Sequence, residues 1–179
     1  MGHMVNIFEL LNGKTVSATL QFFLISPSES FYLAQLVKEI PLSKVSLIRA
    51  LSKLKECGLL SSQQLGKTVL YKLNPKHPLI KELKRFYNIS YLLESLQFFQ
   101  SVECEVYVYG SAARGENDEK SDFDILIISN KKDGVKSLLN KIKDEKIKPI
   151  IFTHGEYSLL YRHDLPFYER VEKDKVRLF

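Results

Sequence analysis

The sequence predicts an α+β fold in two parts, and three observations support this prediction. Apolar residues recur at helical spacing between residues 15 and 57, and two short strand-like runs separated by a turn follow them. A longer apolar-periodic stretch then extends from residue 78 to about residue 100. Beyond it, short runs rich in Val, Ile and Tyr alternate with helical segments, which indicates a mixed sheet flanked by helices.

Charge is unevenly distributed along the 179 residues, which carry 26 Lys and Arg against 21 Asp and Glu. Residues 1–100 hold 12 basic and 6 acidic residues, whereas residues 101–179 hold 14 and 15. The basic excess of the first half favours a polyanionic partner there. No stretch has the length and apolarity of a membrane span, and the N-terminus shows no signal-peptide pattern. We therefore expect a cytoplasmic protein with no membrane partner.

Three helices and a hairpin are predicted in the first part. The helices cover residues 15–25, with Thr15 as the N-cap, residues 33–40 and a segment that Ser43 caps. Gly58 supplies the left-handed residue that often follows a helix, and the hairpin occupies the next 15 residues, with its turn at Gly66 and Lys67. Helix, helix, helix and hairpin is the element order of a winged helix-turn-helix, which we assign to residues 5–76.

The third helix is the predicted DNA-reading element. Its buried stripe is expected to consist of Val45, Ile48, Leu51 and Leu54. The residues expected to face outward are Lys44, Ser46, Arg49, Ala50 and Lys53. A winged helix lays this face in the major groove of duplex DNA, with the hairpin tip near the backbone. The candidate DNA contacts are Lys44, Ser46, Arg49, Lys53 and Lys67, and Arg49 is the best placed to read a base edge. The alternative is a winged helix that makes only protein contacts.

A helix over residues 77–100 is predicted to connect this domain to a second one, residues 101–179. It joins the two domains or pairs with its copy in a second subunit, so a homodimer is expected. The second domain is predicted to contain a helix over residues 134–145 and two shorter helices near its end. Its predicted strands are residues 106–109, 123–128 and 148–153, with a terminal edge strand at residues 176–179.

A glycine-serine bend and two paired acids carry the chemistry. Gly110 and Ser111 follow a strand, and ten residues later come Asp122, Phe123 and Asp124. Because side chains alternate along a strand, the two aspartates share one face while Phe123 points into the core. Two carboxylates suit Mg²⁺, which takes few protein oxygens and shares the rest with phosphate and water. Gly110 lets the backbone approach a phosphate, and the N–H groups that follow would bind it.

This spacing resembles the signature of the minimal nucleotidyltransferases of the DNA polymerase β superfamily: Gly-Ser, ten residues, then Asp-x-Asp. Arg114-Gly115 and Ser121 also match the longer form of the motif, and the resemblance covers about residues 90–179. It implies the nucleotidyltransferase fold for the second domain, a mixed sheet flanked by helices. It also implies that Gly110 and Ser111 contact the triphosphate of a nucleotide, ATP in the first place.

The same resemblance implies that Asp122 and Asp124 are the catalytic residues and hold Mg²⁺. Arg114 is a further candidate for nucleotide binding. The equal alternative is that Arg114 forms an ion pair with Asp118, Glu119 or Asp122 and holds the loop in place.

One feature of the family pattern is missing. Active members usually carry a third carboxylate on the strand after the next helix, where it acts as a general base and completes the metal site. Residues 147–153 contain no acid, and Glu103, Glu105 and Glu156 are the nearest alternatives. Loss of a general base typically costs about 10²–10⁴-fold in rate. The sequence therefore leaves open whether the domain catalyses transfer or only binds nucleotide.

The motif, the missing third acid and the predicted winged helix are together compatible with three functions. The first is a Mg²⁺-dependent enzyme that transfers a nucleoside monophosphate from NTP to an acceptor hydroxyl. The acceptor is a protein tyrosine in a toxin-antitoxin type of pair, a small molecule or a nucleic acid end. The second is a DNA-binding transcriptional regulator whose nucleotidyltransferase-like domain binds nucleotide without catalysis. The third and weakest is a structural dimer scaffold.

Overall fold

The computed structural model describes residues 7–179, apart from the side chains of residues 8 and 9, and it divides into two compact units. The first unit ends at Ile80, and the second comprises Lys81–Phe179. Residues 5 and 6, at the start of the predicted first domain, lie outside the described residues. None of the helices within the described part of the chain combines the length and apolarity that crossing a membrane requires.

The first unit combines helices with a small antiparallel sheet. Its helices are α1 (Ile7–Leu11), α2 (Lys14–Ile25), α3 (Leu33–Glu39) and α4 (Lys44–Glu56), and its strands are β1 (Ser30–Tyr32), β2 (Leu60–Leu65) and β3 (Thr68–Leu73). β3 lies between β1 and β2 and pairs antiparallel with both. The predicted hairpin is therefore present, with Gly66 in its turn at φ 59°. The sequence did not predict β1, because three residues give too little alternation to recognise. The winged-helix interpretation of this unit stays a prediction.

The buried face of α4 differs from the predicted one. Its buried residues are Leu47, Ala50, Leu51 and Leu54. Val45 and Ile48 were expected in the core but are 59% and 43% exposed, and Ala50 was expected outside but is 1% exposed. The predicted stripe advanced by three residues at each step, and each such step falls about 60° short of a full turn. A stripe that mixes steps of three and four stays on one face, as the observed one does.

The second unit is built on a four-stranded mixed sheet. Its helices are α5 (Pro78–Ser95, which begins before the unit boundary), α6 (Gly110–Arg114), α7 (Lys132–Leu139), α8 (His154–His163) and α9 (Leu165–Asp174), with a 3₁₀ helix at Gln97–Ser101. Its strands are β4 (Glu105–Tyr109), β5 (Phe123–Ile128), β6 (Ile147–Phe152) and β7 (Val176–Arg177), in the order β6-β5-β4-β7. β5 and β6 are parallel, and the other two pairs are antiparallel. The predicted α+β class with a mixed sheet is confirmed for this unit.

Both faces of this sheet are covered. On one face, Ile125 and Ile127 of β5 pack with Leu92 of α5, with Leu96 just after that helix and with Val135 of α7. The residues buried on the other face are Tyr109, Leu126, Ile128, Tyr157 and Val171, which bring α8 and α9 against the sheet. Since side chains alternate along β5, Asp124 shares the second face with Leu126 and Ile128. α9 therefore covers the face on which the candidate site lies.

Three helix boundaries also differ from the prediction. The helix predicted over residues 77–100 is α5, which ends at Ser95 and is followed by the 3₁₀ helix. Gly13, not Thr15, is the N-cap of α2, and the carbonyl of Thr15 accepts a hydrogen bond from Thr19 Oγ1 at 2.8 Å. The helix predicted over residues 134–145 is α7, which ends at Leu139. Asp144 lies beyond it in a turn, where its carboxylate accepts from the Lys146 N–H at 2.9 Å and from the Tyr91 hydroxyl at 2.6 Å. Short polar side chains that bind nearby backbone in this way favour turns over helix.

Candidate functional site

The β4–α6 bend brings the backbone of Gly110 against the side chain of Asp124. Tyr109, the last residue of β4, lies opposite Asp124 in the antiparallel pairing with β5. Gly110 has φ 74°, and a β-carbon on it would lie 2.8 Å from Asp124 Oδ2. Both the left-handed backbone and this close approach require glycine. The predicted glycine bend and one of the paired acids are therefore neighbours in space.

Asp122 and Asp124 flank a residue that anchors them. Phe123 is 8% exposed and belongs to the α5 side of the sheet, so the two aspartates project from the opposite side. Burial raises the pKa of the Asp124 carboxyl, and the negative charge of Asp122 raises it further. Arg170 of α9 opposes this effect and Asp174 adds to it. The two carboxylates therefore act on each other electrostatically, and a bound cation would relieve their repulsion.

These carboxylates fit a hard divalent cation in donor chemistry. Mg²⁺ is commonly bound by one or two protein carboxylates together with substrate phosphates and waters. Within residues 7–179, the structure contains no cluster of three or more His, Cys, Asp or Glu side chains arranged to hold a metal. Asp122 and Asp124 would therefore hold Mg²⁺ as a pair, and the other ligands would come from nucleotide and water.

β6 supplies no acid to this pair. Lys148 lies opposite Asp124 in the parallel ladder, and Ile150 lies opposite Leu126 and packs on the second face of the sheet. The alternative glutamates have other partners. Glu156 accepts from the Thr153 N–H at 2.7 Å and pairs with Lys132.

Glu103, which precedes β4, and Glu105, the first residue of β4, are also engaged. Glu103 pairs with Lys131 at 2.6 Å. Glu105 accepts a hydrogen bond from the Tyr107 hydroxyl and lies 3.3 Å from His154 Nε2. Hydrogen bonding by Tyr107 is the main reason that the pKa of Glu105 is below its ordinary value. These contacts account for the glutamates that the sequence offered as substitutes for a third acid.

A third carboxylate does reach the bend, but it comes from α9. Asp174, the last residue of that helix, accepts a hydrogen bond from the Gly110 N–H at 3.1 Å and forms an ion pair with Arg114. Its side chain is only 9% exposed. Arg114 also binds Glu116, with 2.7 Å between Nε and Oε2. The partners that the structure gives Arg114 are thus Asp174 and Glu116, whereas the sequence suggested Asp118, Glu119 or Asp122.

The loop after the bend is supported by α5. Asn88, 2% exposed, donates through Nδ2 to the Ala112 carbonyl at 2.9 Å and to Asn117 Oδ1 at 2.8 Å. Lys84 is also buried and donates to the Asn117 carbonyl, and its burial lowers the pKa of its ammonium group. At Gly115, with φ 68°, a β-carbon would lie 2.1 Å from a carbonyl oxygen of α5. Buried polar contacts therefore hold this loop in one position.

Ser111 and Ser121 have structural contacts in this loop. The carbonyl of Ser111 accepts from the Glu116 N–H at 2.8 Å. Ser121 Oγ accepts from the Asp118 N–H at 2.9 Å and donates to Asp118 Oδ1 at 2.7 Å. Ser121 therefore stabilises the turn that precedes Asp122, and both hydrogen bonds of its hydroxyl are made to Asp118.

A cleft of ≈ 710 Å³ opens beside Asp174. It is lined by Arg114, Glu116, Pro166, Glu169, Arg170, Lys173 and Asp174. Three of these side chains are basic and three are acidic, and the volume is within the range of small-molecule sites in proteins. Arg114 and Asp174 thus connect the cleft to the Gly110 bend.

The DNA-binding candidates all lie in the first unit, and most are exposed. Lys44, Arg49 and Lys53 are exposed on α4, and Lys67 is exposed in the hairpin turn. Ser46 is half-buried, and its N–H donates to the side chain of the N-cap Ser43 at 3.2 Å. The hydroxyl of Ser46 also lies 2.9 Å from that of Ser43, so capping engages this side chain.

Comparison with known proteins bears on the second unit. Residues 89–177 match the family model described as a nucleotidyltransferase domain. Among curated proteins, none matches the sequence. A solved structure from Sulfolobus solfataricus, provisionally named a nucleotidyltransferase, is 21% identical, with 58% of this chain and 90% of that chain covered and a TM-score of 0.35. A likeness of that degree supports no conclusion. Residues 89–177, which include the Gly110 bend and both paired aspartates, thus match a nucleotidyltransferase domain, and the chemistry indicated is nucleotidyl transfer.

Proposed function

We propose that the second unit is a Mg²⁺-dependent nucleotidyltransferase that moves a nucleoside monophosphate from NTP, ATP in the first place, to an acceptor hydroxyl. The observation that carries this proposal is the close approach of Gly110 to Asp124, an acid that also feels the charge of Asp122. The backbone of Gly110 meets Asp124 at a distance that excludes a β-carbon, and the charge of Asp122 acts on Asp124. A metal-binding carboxylate pair next to a phosphate-binding backbone is the arrangement that phosphoryl transfer requires.

Each of these residues has a task in the proposed reaction. Asp122 and Asp124 bind the cation, Gly110 donates its N–H to a phosphate oxygen, and Arg114 and Ser111 bind the triphosphate. Mg²⁺ held by these two aspartates would supply neutralisation of the phosphate charge. The acceptor oxygen bonds to the α-phosphorus while the bond to the pyrophosphate oxygen breaks. The acceptor's proton passes to solvent, because β6, the strand beside β5, contains no carboxylate that could accept it.

Transfer of label tests the proposal. The protein is incubated with Mg²⁺, ATP labelled at the α-phosphate and separate acceptors: a tyrosine-bearing partner protein of the toxin-antitoxin type, small alcohols and nucleic acid ends. We expect label on one acceptor class, and loss of at least 10²-fold in Asp122→Asn and Asp124→Asn. Asp133→Asn, an exposed acid at the start of α7, is the matched control and should transfer label normally. Equal transfer by all three variants would overturn the assignment.

The second candidate function, a DNA-binding regulator that binds nucleotide without catalysis, is favoured by two observations. β6 lacks the third acid, and α4 exposes Arg49 together with Val45 and Ile48. Arg reads guanine edges in the major groove, and small apolar side chains contact thymine methyl groups. Nucleotide binding without label transfer, combined with duplex affinity that changes when Mg²⁺·ATP is added, would select this function. Both ligands are intracellular, so the cytoplasmic location is part of either proposal.

A homodimer is also part of the proposal and is supported by α5. Phe86 and Leu93, seven residues apart on this helix, are 70% and 38% exposed. Apolar residues at this spacing form the seam between paired helices. Light scattering after size-exclusion chromatography should give twice the 20.7 kDa chain mass, and Phe86→Glu should give the single-chain mass. The exposed Ser137→Glu control on α7 tests added charge away from this face, and equal masses for both variants would exclude Phe86 from an interface.

A further inference from the structure

Asp174 contacts the two groups that a triphosphate would need. Its Oδ1 accepts from the Gly110 N–H at 3.1 Å, and its Oδ2 pairs with the Arg114 guanidinium. Arg114 and Asp174 both line the ≈ 710 Å³ cleft. A carboxylate and a phosphate are both anions that bind backbone N–H and guanidinium groups. The side chain of Asp174 thus stands where a phosphate oxygen would stand.

The residues before and after Asp174 in the sequence fix the position of its backbone. Before it, Val171 of α9 is fully buried against the sheet. After it, Val176 and Arg177 form β7, which pairs with β4. The Lys175 N–H completes the helix by donating to the Val171 carbonyl at 3.0 Å. The backbone of Asp174 is therefore anchored, and its side chain is the part that can rotate away from Gly110.

Two anions cannot share these donors at low cost. When one negative group occupies Gly110 and Arg114, a second one loses those hydrogen bonds and meets like charge. The free-energy cost of displacing the first anion therefore lowers the affinity for the second. The effect is reciprocal, so each anion weakens the binding of the other. A carboxylate attached to the same chain competes at a high effective concentration.

We propose that Asp174 is an autoinhibitory carboxylate: it occupies the phosphate-binding donors of the nucleotide-free protein, and a nucleoside triphosphate must displace it to bind. This inference rests on the proposed function, since it concerns the same site. Arg114 changes partner from Asp174 to the triphosphate in this exchange, while Glu116 remains beside it. Asp174 then sets the nucleotide concentration at which the site fills.

Calorimetric titration with Mg²⁺·ATP, and separately with inorganic tripolyphosphate, tests the proposal. Asp174→Asn removes the charge and keeps the shape, so we expect both ligands to bind about tenfold or more tightly than to the wild type, within the 5–150-fold range usual for such coupling. Asp133→Asn removes one negative charge from an exposed residue of α7 that does not line the cleft, and it should change affinity less than twofold. This control separates loss of the contact from a general gain of positive charge.

The outcomes distinguish this inference from the proposed function. Wild-type binding of Mg²⁺·ATP that is lost in Asp122→Asn but unchanged or weakened in Asp174→Asn supports the function and overturns the autoinhibitory role. A tighter complex of Asp174→Asn with tripolyphosphate, combined with Mg²⁺·ATP binding that Asp122→Asn leaves unchanged, supports the exchange and overturns the transferase assignment. If neither ligand binds any of these variants, both proposals are wrong. A thermal melt of Asp174→Asn confirms that the protein used in the titration is folded.

Discussion

The α-carbon of Gly110 faces the carboxylate of Asp124 so closely that a β-carbon there would lie 2.8 Å from Oδ2. Asp124 belongs to β5, and Gly110 is the first residue of α6, directly after Tyr109, which faces Asp124 in the antiparallel ladder. The Gly110 N–H, a donor that can bind phosphate, therefore lies near the Asp124 carboxylate, which can bind a cation. The geometry of the candidate site depends on this pair more than on any other.

Gly110→Ala should therefore disrupt both the fold and the site. The left-handed φ of 74° and the contact with Asp124 should together cost about 1–3 kcal/mol in the free energy of unfolding. Gly134→Ala is the control, because its β-carbon would make an ordinary 3.6 Å contact and α7 should gain up to about 1 kcal/mol. Chemical denaturation measures both changes. Equal stability of the two variants would contradict the close approach at Gly110.

Asp124→Asn should stabilise the protein when no cation is present. Because the pKa of Asp124 is raised by burial and by Asp122, folding favours its protonated form. That stabilisation is complete below the ordinary carboxyl pKa and is lost as the pH rises through the raised value. At neutral pH the variant should melt roughly 2–4 °C higher than the wild type, and the difference should vanish at acidic pH.

Millimolar Mg²⁺ supplies the second half of this test. The cation offsets the repulsion between Asp122 and Asp124, so the melting temperature of the wild type should rise while that of Asp124→Asn stays constant. Asp133→Asn should respond to Mg²⁺ as the wild type does. An equal response from Asp124→Asn would show that the cation binds elsewhere.

Asn88→Ala should loosen the loop that follows the bend. The side-chain amide of Asn88 satisfies the Ala112 carbonyl and Asn117 Oδ1 inside the protein. Losing both bonds should cost about 1–3 kcal/mol in the free energy of unfolding, since Oδ1 of the buried Asn117 loses its donor. Ser90→Ala, an exposed change on the same helix, should cost nothing measurable. A loss below about 0.5 kcal/mol for Asn88→Ala would mean that α5 does not position the loop.

Arg49→Ala and Lys53→Ala test the DNA proposal for the first unit. Both side chains are exposed on α4, and each removed phosphate contact should lower the slope of log affinity against log salt by about 1. Lys76→Ala removes an exposed charge beyond the hairpin and should leave the slope unchanged. Fluorescence anisotropy with a labelled duplex measures all three. Identical slopes in the wild type and in Arg49→Ala and Lys53→Ala would favour the protein-contact alternative.

The sequence predicts those features that depend on local spacing. The hairpin and the strand that follows Asp122 lie where their patterns place them, because alternation and turn residues act over a few positions. The mixed sheet of the second unit also follows from its strand and helix order. The buried face of α4 was predicted wrongly, because a stripe built from steps of three drifts around the helix.

The contact between Gly110 and Asp174 could not be predicted from local sequence patterns. The two residues are 64 positions apart, and nothing near Asp174 in the sequence distinguishes it from other acids on a helix. Only the packing of α9 on the sheet, through Val171, brings its carboxylate to the bend. Tertiary contacts of this kind depend on how the elements pack rather than on local propensity.

A crystal structure with Mn²⁺ and a non-hydrolysable ATP analogue shows whether Asp122, Asp124 and Gly110 form one site for metal and nucleotide. We expect an anomalous peak bound by Asp122 and Asp124 at about 2.1 Å, with the triphosphate accepting from the Gly110 N–H. Metal and nucleotide bound at another place, or two aspartate side chains directed away from a common ion, would contradict the proposed site.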